Sequence, residues 1–292
     1  MGRHTASLSA LALAALAACN TVPEPDDRGE SVGYRTGTAE DDFLSNGERG
    51  NVNVTEVNWA GSVRLDAQGR AVHDPGDVFI ELQNKHPRPM HLTGWILTID
   101  YGTYADGRHW GNTSGLRSRR EFVIPPRVNG APVEPNGFVT IAARDGGAFG
   151  RIPCDEAPED VRVTADGTCF LADYYIEELT LPHGPFEITL RDLDERLIDG
   201  GGDDRKLPFA GAWDLVTTRS MERIQLIFNN RGNRDAAWHT YALSDWNDGD
   251  RGILHQELRR FVHPDYRART FASPGMPNSP DYSGFVSSGD FQ

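Results

Sequence analysis

The chain has 292 residues with 29 Lys or Arg against 43 Asp or Glu, which gives a formal net charge of −14 at pH 7. Nucleic acids and anionic lipid headgroups select surfaces dense in Lys and Arg, so this charge argues against both as partners. The 31 Gly and 18 Pro exceed the average share of globular chains and favour a fold rich in turns. The length is sufficient for one large domain with a sizeable core.

The N-terminus combines a short apolar run with a cysteine. Residues 8–18 are mostly Leu and Ala, and they are too few to cross a bilayer, which takes ~20 residues. Leu16-Ala17-Ala18-Cys19 resembles the cleavage site of a bacterial lipoprotein signal peptide, and an ordinary secretory signal is the alternative. The resemblance implies a signal peptide over residues 1–18, lipid on Cys19 and membrane attachment through acyl chains. Asn20 implies sorting to the outer membrane, with the periplasmic and surface-exposed faces both open.

The next segment has the composition of a linker. Residues 20–49 are rich in Pro, Asp, Glu, Gly, Ser and Thr and contain almost no large apolar side chains. Such a segment cannot bury enough surface to offset the entropy lost on ordering. We therefore expect residues 19–49 to form the lipidated N-terminus and a flexible acidic tether.

From residue 50 onward, short stretches alternate apolar and polar side chains, which is typical of half-buried strands. Turn sequences such as Asp74-Pro75-Gly76-Asp77 and Pro135-Asn136-Gly137 separate the stretches. The strands that this pattern predicts are residues 51–59, 77–83, 94–101, 121–124, 137–143, 170–176, 186–192 and 221–228.

One helix is predicted over residues 252–262, where Leu254, Leu258 and Phe261 share a face. Together these elements predict an all-β domain over residues 50–280, a β-sandwich with loop insertions and one short helix. Residues 281–292 are predicted to be a C-terminal tail.

Two further cysteines, Cys154 and Cys169, lie in the part of the chain that follows the signal segment. In an exported protein an even number of cysteines favours a disulfide, and a loop of ~15 residues would be stabilised by ~3 kcal/mol. Zinc is the alternative, but two cysteines without a nearby pair of histidines fall short of four ligands.

A succession of short motifs resembles the bacterial lamin-tail domain. A first strand with a Glu-Val pair is followed by an F-I-E-L-x-N strand and a strand that opens L-T-G-W, and later motifs follow in the family's order. The matching segments are residues 53–61 (NVTEVNWAG), 77–84 (DVFIELQN), 92–97 (LTGWIL), 122–125 (FVIP), 135–142 (PNGFVTIA), 190–199 (LRDLDERLID), 220–224 (SMERI) and 273–278 (SPGMPN).

This resemblance implies an immunoglobulin-like β-sandwich. Two positions depart from the family pattern: Val78 replaces an acidic residue, and Glu195 stands where a hairpin glycine is expected. Trp95, directly after Gly94, suits a buried aromatic in a strand.

Three glutamates recur beside apolar strand positions. Acid–base chemistry by Glu56, Glu81 and Glu222 would need two carboxyl groups ~5–10 Å apart in a cleft. The sequence contains no cleft signature, so we expect these side chains to lie on exposed strand faces or to pair with Arg223 and its neighbours.

The best candidate metal site in the sequence is a calcium loop. Asp245, Asn247, Asp248 and Asp250 surround Gly249, and calcium takes six to eight such oxygen ligands, although the spacing departs from the EF-hand. A second acidic stretch flanks three consecutive glycines and comprises Asp192, Asp194, Asp199, Asp203 and Asp204. The alternative for both stretches is a solvated acidic turn.

No His-Glu-x-x-His, Gly-x-Ser-x-Gly or P-loop spacing occurs in the chain. We therefore expect a lipid-anchored protein of the cell envelope, a non-catalytic binding or adhesion module with an envelope or surface protein as its partner. One alternative is a metal-dependent hydrolase that uses the acidic loops. The other is a carbohydrate-binding module with exposed aromatic residues, namely Trp110, Trp213 and Trp246.

Overall fold

The computed structural model describes residues 45–103, 116–224, 232–243 and 249–280. At Thr103, Leu116, Arg117 and residues 249–253 it describes the backbone alone. The predicted signal peptide, Cys19, nearly all of the predicted tether and the tail 281–292 lie outside these ranges.

Within the described ranges, short strands dominate. They are β1 (Val52–Asn58), β2 (Ser62–Leu65), β3 (Ala71–Asp74), β4 (Phe79–Asn84), β5 (Ile96–Thr103), β6 (Leu116–Val123), β7 (Phe138–Ala142), β8 (Arg151–Ile152), β9 (Arg162–Val163), β10 (Cys169–Phe170), β11 (Tyr174–Tyr175), β12 (Phe186–Arg191), β13 (Leu197–Asp203), β14 (Ala212–Trp213), β15 (Thr218–Arg219), β16 (Met221–Arg223), β17 (Trp238–Thr240) and β18 (Thr270–Phe271). The α-helix of these ranges is α1 (Gly249–Leu258), and two single 3₁₀ turns occur at Gly147–Phe149 and Asp235–Ala237.

Two sheets enclose the main core. Sheet I has the strand order β11-β7-β4-β1-β16-β17, and sheet II has the order β13-β12-β5-β6. One hydrophobic cluster joins their inner faces, with Ile80 and Leu82 from sheet I and Leu97, Ile99 and Ile188 from sheet II. The predicted all-β sandwich is therefore confirmed. Three smaller sheets, β8-β10-β9, β14-β15-β18 and β2-β3, belong to the insertions and hairpins.

The core includes a tryptophan that the sequence singles out. Trp95 is fully buried, as expected, and its indole Nε1 donates a hydrogen bond to the carbonyl of Ser45. A Cβ on Gly47 would lie 2.6 Å from the same ring, so glycine is required there. Residues 45–47 are thus packed into the domain, although their composition places them in the predicted tether. Small residues suit this role because they let the backbone approach the ring closely enough for a carbonyl group to accept the indole N–H.

Strand β1 contains a β-bulge. Its register with β4 shifts between Val54 and Glu56, so Val54 and Val57 both reach the core although they are three residues apart. The same shift places Glu56 on the opposite face of sheet I. The break in period between Val54 and Val57 is the sequence signal of this bulge.

The helix differs from its predicted bounds and from its predicted face. It begins and ends earlier, and of the predicted face Leu258 is buried, Leu254 is 40% exposed and Phe261 is buried beyond the helix end. His255 in the helix and Arg259 just after it are also buried. His255 Nδ1 lies 3.0 Å from the hydroxyl of Tyr241, and the Arg259 guanidinium lies over the Phe271 ring. Partnered polar side chains are thus buried where an apolar pattern predicts none.

Position 195, in the β12–β13 turn, has a backbone conformation that favours glycine. Glu195 has φ +60°, the left-handed region that costs most side chains about 1–2 kcal/mol and glycine almost nothing. We expect Glu195→Gly to raise the free energy of unfolding by about 0.5–1 kcal/mol, because glycine's larger unfolded-state entropy offsets part of the relief. Thermal melts measure this effect. Glu195→Ala is the matched control, since it removes the charge but keeps the strain, and an equal gain from alanine would contradict this explanation.

Candidate functional site

A polar row crosses the outer face of sheet I. Register pairs place Thr140, Glu81, Glu56, Glu222 and His239 side by side on five neighbouring strands. The three glutamates are completely buried, and Arg223 pairs instead with Asp199. The expectation that these carboxyl groups lie on exposed strand faces or pair with Arg223 is therefore wrong. We refer to Glu81, Glu56 and Glu222 as the carboxyl row.

Residues 273–279, which we call the strap, cover the row. Each glutamate accepts a backbone N–H from the strap: Ser273 N lies 2.9 Å from Glu56 Oε1, Gly275 N lies 2.7 Å from Glu81 Oε2, and Ser279 N lies 3.1 Å from Glu222 Oε1. The strap forms no strand: it turns at Pro274 and Gly275, where Met276 N donates to the carbonyl of Ser273, and its two prolines have no N–H to donate. The glutamates thus replace the missing backbone acceptors.

Hydroxyl and amide groups complete the contacts. Ser273 Oγ lies 2.7 Å from Glu222 Oε1 and 3.1 Å from Glu56 Oε2, and Thr55 Oγ1 lies 2.7 Å from Glu81 Oε1. Asn278 Nδ2 donates to the carbonyl groups of Thr55 and Arg223 at 3.0 and 2.8 Å. Ser279 Oγ donates to Glu222 Oε2. The row and the strap therefore form one continuous hydrogen-bonded layer.

Burial sets the electrostatics of the row. Desolvation, followed by repulsion from Glu222, raises the pKa of Glu56 to about 8. Desolvation, followed by repulsion from Glu56, raises the pKa of Glu81 well above its usual range. The raised pKa values favour the protonated forms of Glu56 and Glu81, and the strap binds directly over both groups.

A second buried charge cluster lies beyond Thr140. The carboxylate of Asp173 accepts Thr140 N at 2.9 Å, both Nε and Nη2 of Arg162 at 2.9 Å, and Nη2 of Arg127 at 2.6 Å. Burial alone would raise the pKa of Asp173, but the guanidinium groups of Arg162 and Arg127 hold it below its usual value. Arg162 also lies 4.2 Å above the ring of Phe261, on the side where the strap passes.

The insertion that carries Arg162 is closed by a disulfide. Cys154 and Cys169 are bonded, with their Cα atoms 5.4 Å apart, so the predicted disulfide is confirmed and the zinc alternative is wrong. Cys169 lies in β10, which pairs with β8 on one side and with β9 on the other. The bond thus fixes the small sheet from which Arg162 reaches Asp173.

The acidic candidates that the structure describes are not gathered into a metal site. Asp245, Asn247 and Asp248 lie outside the described residues, and Asp250 is described by its backbone alone. Among the described residues no group of three or more His, Cys, Asp or Glu side chains is arranged to hold a metal ion. The described acidic residues bind groups of this chain instead: Asp192 binds Arg196, Asp199 binds Arg223, and Glu257 binds Arg260.

An aromatic cluster faces solvent at another part of the domain. Trp213 is 41% exposed and stacks on His73, with ring centroids 4.5 Å apart and an interplanar angle of 19°. His183 meets the edges of Trp213 and Trp59, each at 5.7 Å. Burial, followed by repulsion from His73, lowers the pKa of His183 and favours its neutral ring. The sequence identifies Trp213 as a candidate but gives no signal for the two histidines, and Trp110 and Trp246 lie outside the described residues.

The β14–β15 hairpin extends this aromatic surface. Leu215 and Val216, at its turn, are 70% and 46% exposed. Leu215 has φ +74°, and Asp214 Oδ1 holds the turn by accepting the backbone N–H of Thr217 at 2.7 Å. A leucine in this strained backbone region with its side chain in solvent points to a binding role. We call Trp213, Leu215 and Val216 the apolar hairpin.

Comparison with known proteins gives no match to a protein-family model, and no curated protein is significantly similar to the chain. In the part of the chain that the structure describes, no helix is long and apolar enough to cross a membrane.

Proposed function

We propose that this protein is a lipid-anchored, non-catalytic lamin-tail-like module of the cell envelope that binds a protein partner through the apolar hairpin. The anchor rests on the sequence around Cys19, and the lamin-tail relationship, with its immunoglobulin-like fold, rests on the order of the motifs. The outer membrane is the proposed location.

The apolar hairpin is the observation that carries the proposal. Its turn exposes Leu215 and Val216 to solvent, with backbone strain at Leu215. The nearby Trp213 is supported by the ring of His73, which stacks on it. Tryptophan and well-supported apolar residues dominate the binding energy of protein interfaces. The carboxyl row offers no competing catalytic site, because the strap covers it.

Carbohydrate binding is the second candidate, and the exposed face of Trp213 favours it. A sugar ring stacks on an indole whose opposite face is supported, as His73 supports this one. The two candidates differ in their dependence on the turn. Leu215→Ala should weaken the binding of a protein, whereas a stacked sugar should require Trp213 and tolerate the change at Leu215.

Site-specific photocrosslinking in cells tests the proposal. A photoreactive residue at position 215 should give one discrete protein adduct in the membrane fraction, while the same residue at Val123, which is 62% exposed on β6, should not. In a Cys19→Ala background the chain should leave the membrane fraction. Equal adducts from both positions would overturn the binding surface, a membrane-bound Cys19→Ala chain would overturn the anchor, and turnover of ester, phosphodiester or glycosidic substrates would overturn the non-catalytic assignment.

A further inference from the structure

The contacts of Ser273 determine where a proton must lie. Its hydroxyl oxygen is within hydrogen-bond distance of both Glu222 Oε1, at 2.7 Å, and Glu56 Oε2, at 3.1 Å. A hydroxyl group has one proton to donate, so both contacts are hydrogen bonds only if one of the two carboxyl groups is protonated and donates to Ser273 Oγ. Two ionised groups would leave a pair of acceptors facing each other in a buried layer.

The other donors indicate which carboxyl group holds that proton. Glu222 accepts from Ser273 Oγ, from Ser279 N and from Ser279 Oγ, so both of its oxygens already face donors of the strap. Glu56 Oε2 faces the hydroxyl of Ser273, and Glu56 Oε1 accepts Ser273 N. The Ser220 hydroxyl also interacts with Glu56, but it lowers the pKa less than burial and Glu222 raise it. The consistent arrangement runs from Glu56 O–H to Ser273 Oγ and from Ser273 O–H to Glu222.

We propose that the strap is a pH-sensitive closure, held on sheet I while Glu56 carries this proton and released when the proton is lost. The device contains none of the three residues of the apolar hairpin, although the strap follows β18, which pairs with β15. Its release would uncover the carboxyl row and the strap's own Met276.

The electrostatic environment gives the direction and the range. Burial and repulsion from Glu222 raise the pKa of Glu56 from 4.5 to about 8. A carboxyl group whose pKa is higher in the folded state stabilises the fold fully below its unfolded pKa, and this contribution is lost as pH rises through the folded value. Closure should therefore be strongest below pH 4.5, weaken steadily from there to about pH 8 and lack this contribution above it.

The surrounding charged groups do not reverse this direction. Glu81 also has a raised pKa, which acts in the same direction, and His239 Nε2 lies 3.7 Å from Glu222 Oε2. Tyr241 contacts His255, and burial, followed by repulsion from Glu222, raises its pKa. Arg259 faces this layer too, donating to the His255 carbonyl group, and the Asp173–Arg162 pair lies beyond Thr140. The strap contributes no titratable side chain of its own.

Amide hydrogen exchange measured by NMR on the full chain tests the proposal. The amides of Ser273, Gly275 and Ser279 each donate to one glutamate and report closure directly. After division by intrinsic rates, their protection should fall about tenfold per pH unit between pH 6 and pH 8 and level off above pH 8, because each pH unit between the unfolded and the folded pKa of Glu56 weakens closure tenfold. The amide of Ile188 in sheet II is the internal control and should keep its protection.

Glu56→Gln is the decisive variant. Its side-chain amide reproduces the donor and acceptor of a protonated Glu56 but cannot ionise, so the strap amides should lose far less protection between pH 6 and pH 9 than in the native chain, and the remaining fall, from Glu81, should be largest at Gly275. Unchanged protection in the native chain, an equal fall in Glu56→Gln, or an equal fall at Ile188 would each overturn the proposal. If the variant does not fold, the carboxyl ¹³C titration of Glu56 in the native chain decides, because a midpoint between pH 4 and 5 would overturn it.

Discussion

Asp173→Asn should lower the free energy of unfolding by about 3–5 kcal/mol, the loss expected when one partner of a buried ion pair is removed. Asp173 is fully buried, and its carboxylate pairs with two guanidinium groups, those of Arg162 and Arg127. It also accepts a hydrogen bond from Thr140 N. Asparagine keeps the volume, so the loss reports uncompensated charge and not a cavity. Chemical denaturation at neutral pH measures the effect.

Asp100→Asn is the matched control. Asp100 also receives two bonds from one arginine, with Arg119 Nε at 2.8 Å and Nη2 at 2.9 Å, but the Arg119 side chain is 67% exposed. An exposed pair contributes at most about 1 kcal/mol, so this variant should remain close to the native chain. Equal losses from the two variants would show that burial does not determine the role of Asp173.

The pH dependence adds a second readout for Asp173. Its pKa is lower in the folded state than the usual 3.8, so its stabilisation is present above that value and is lost as pH falls through the folded value. The native chain should therefore lose stability in acid more steeply than Asp173→Asn. Asp173 causes a loss of stability as pH falls, whereas Glu56 causes a loss as pH rises, so a pH series separates the two groups.

The alternating pattern predicted most strands of the two main sheets but not the edge strands β13 and β17. Residues 77–83 and 186–192 coincide closely with β4 and β12, because each of these strands places one face on the core. The predicted strand over residues 170–176 is two short strands, β10 and β11, which belong to different sheets. Periodicity cannot detect such a break, because both pieces are buried and both contain aromatic residues.

The site was harder to predict than the fold. The sequence indicates that Glu56, Glu81 and Glu222 are strand residues, but their meeting depends on a strand order in which β1 lies between β4 and β16. Their burial depends on the strap, whose bonded residues lie 217 positions after Glu56, 194 after Glu81 and 57 after Glu222. His255 and Arg259 were missed because composition counts them as exposed, while their partners Tyr241 and Phe271 lie outside the helix.

Gly275→Ala should lower the free energy of unfolding by about 2–4 kcal/mol, from about 1–2 kcal/mol of backbone strain and a comparable cost of overpacking. Gly275 has φ +73°, and a Cβ there would lie 2.7 Å from Arg162 Nη2 and 3.2 Å from Phe261 Cδ2. Arg162 cannot move aside freely, because it is bonded to Asp173. The strap should therefore lift from the carboxyl row near Glu81, and exchange at the Gly275 position should increase more than at Ile188.

Gly167→Ala separates the two causes of that loss. Gly167 has φ +83°, yet nothing lies within 4 Å of its added Cβ, so this variant carries the strain without the contact. We expect it to lose only the strain, about 1–2 kcal/mol, with unchanged exchange in the strap. If Gly275→Ala lowers the free energy of unfolding no more than Gly167→Ala does, then the strap can move away from Arg162 at little cost. In that case the hydrogen bonds to the three glutamates, and not close packing against the disulfide-closed insertion, would be what holds the strap closed.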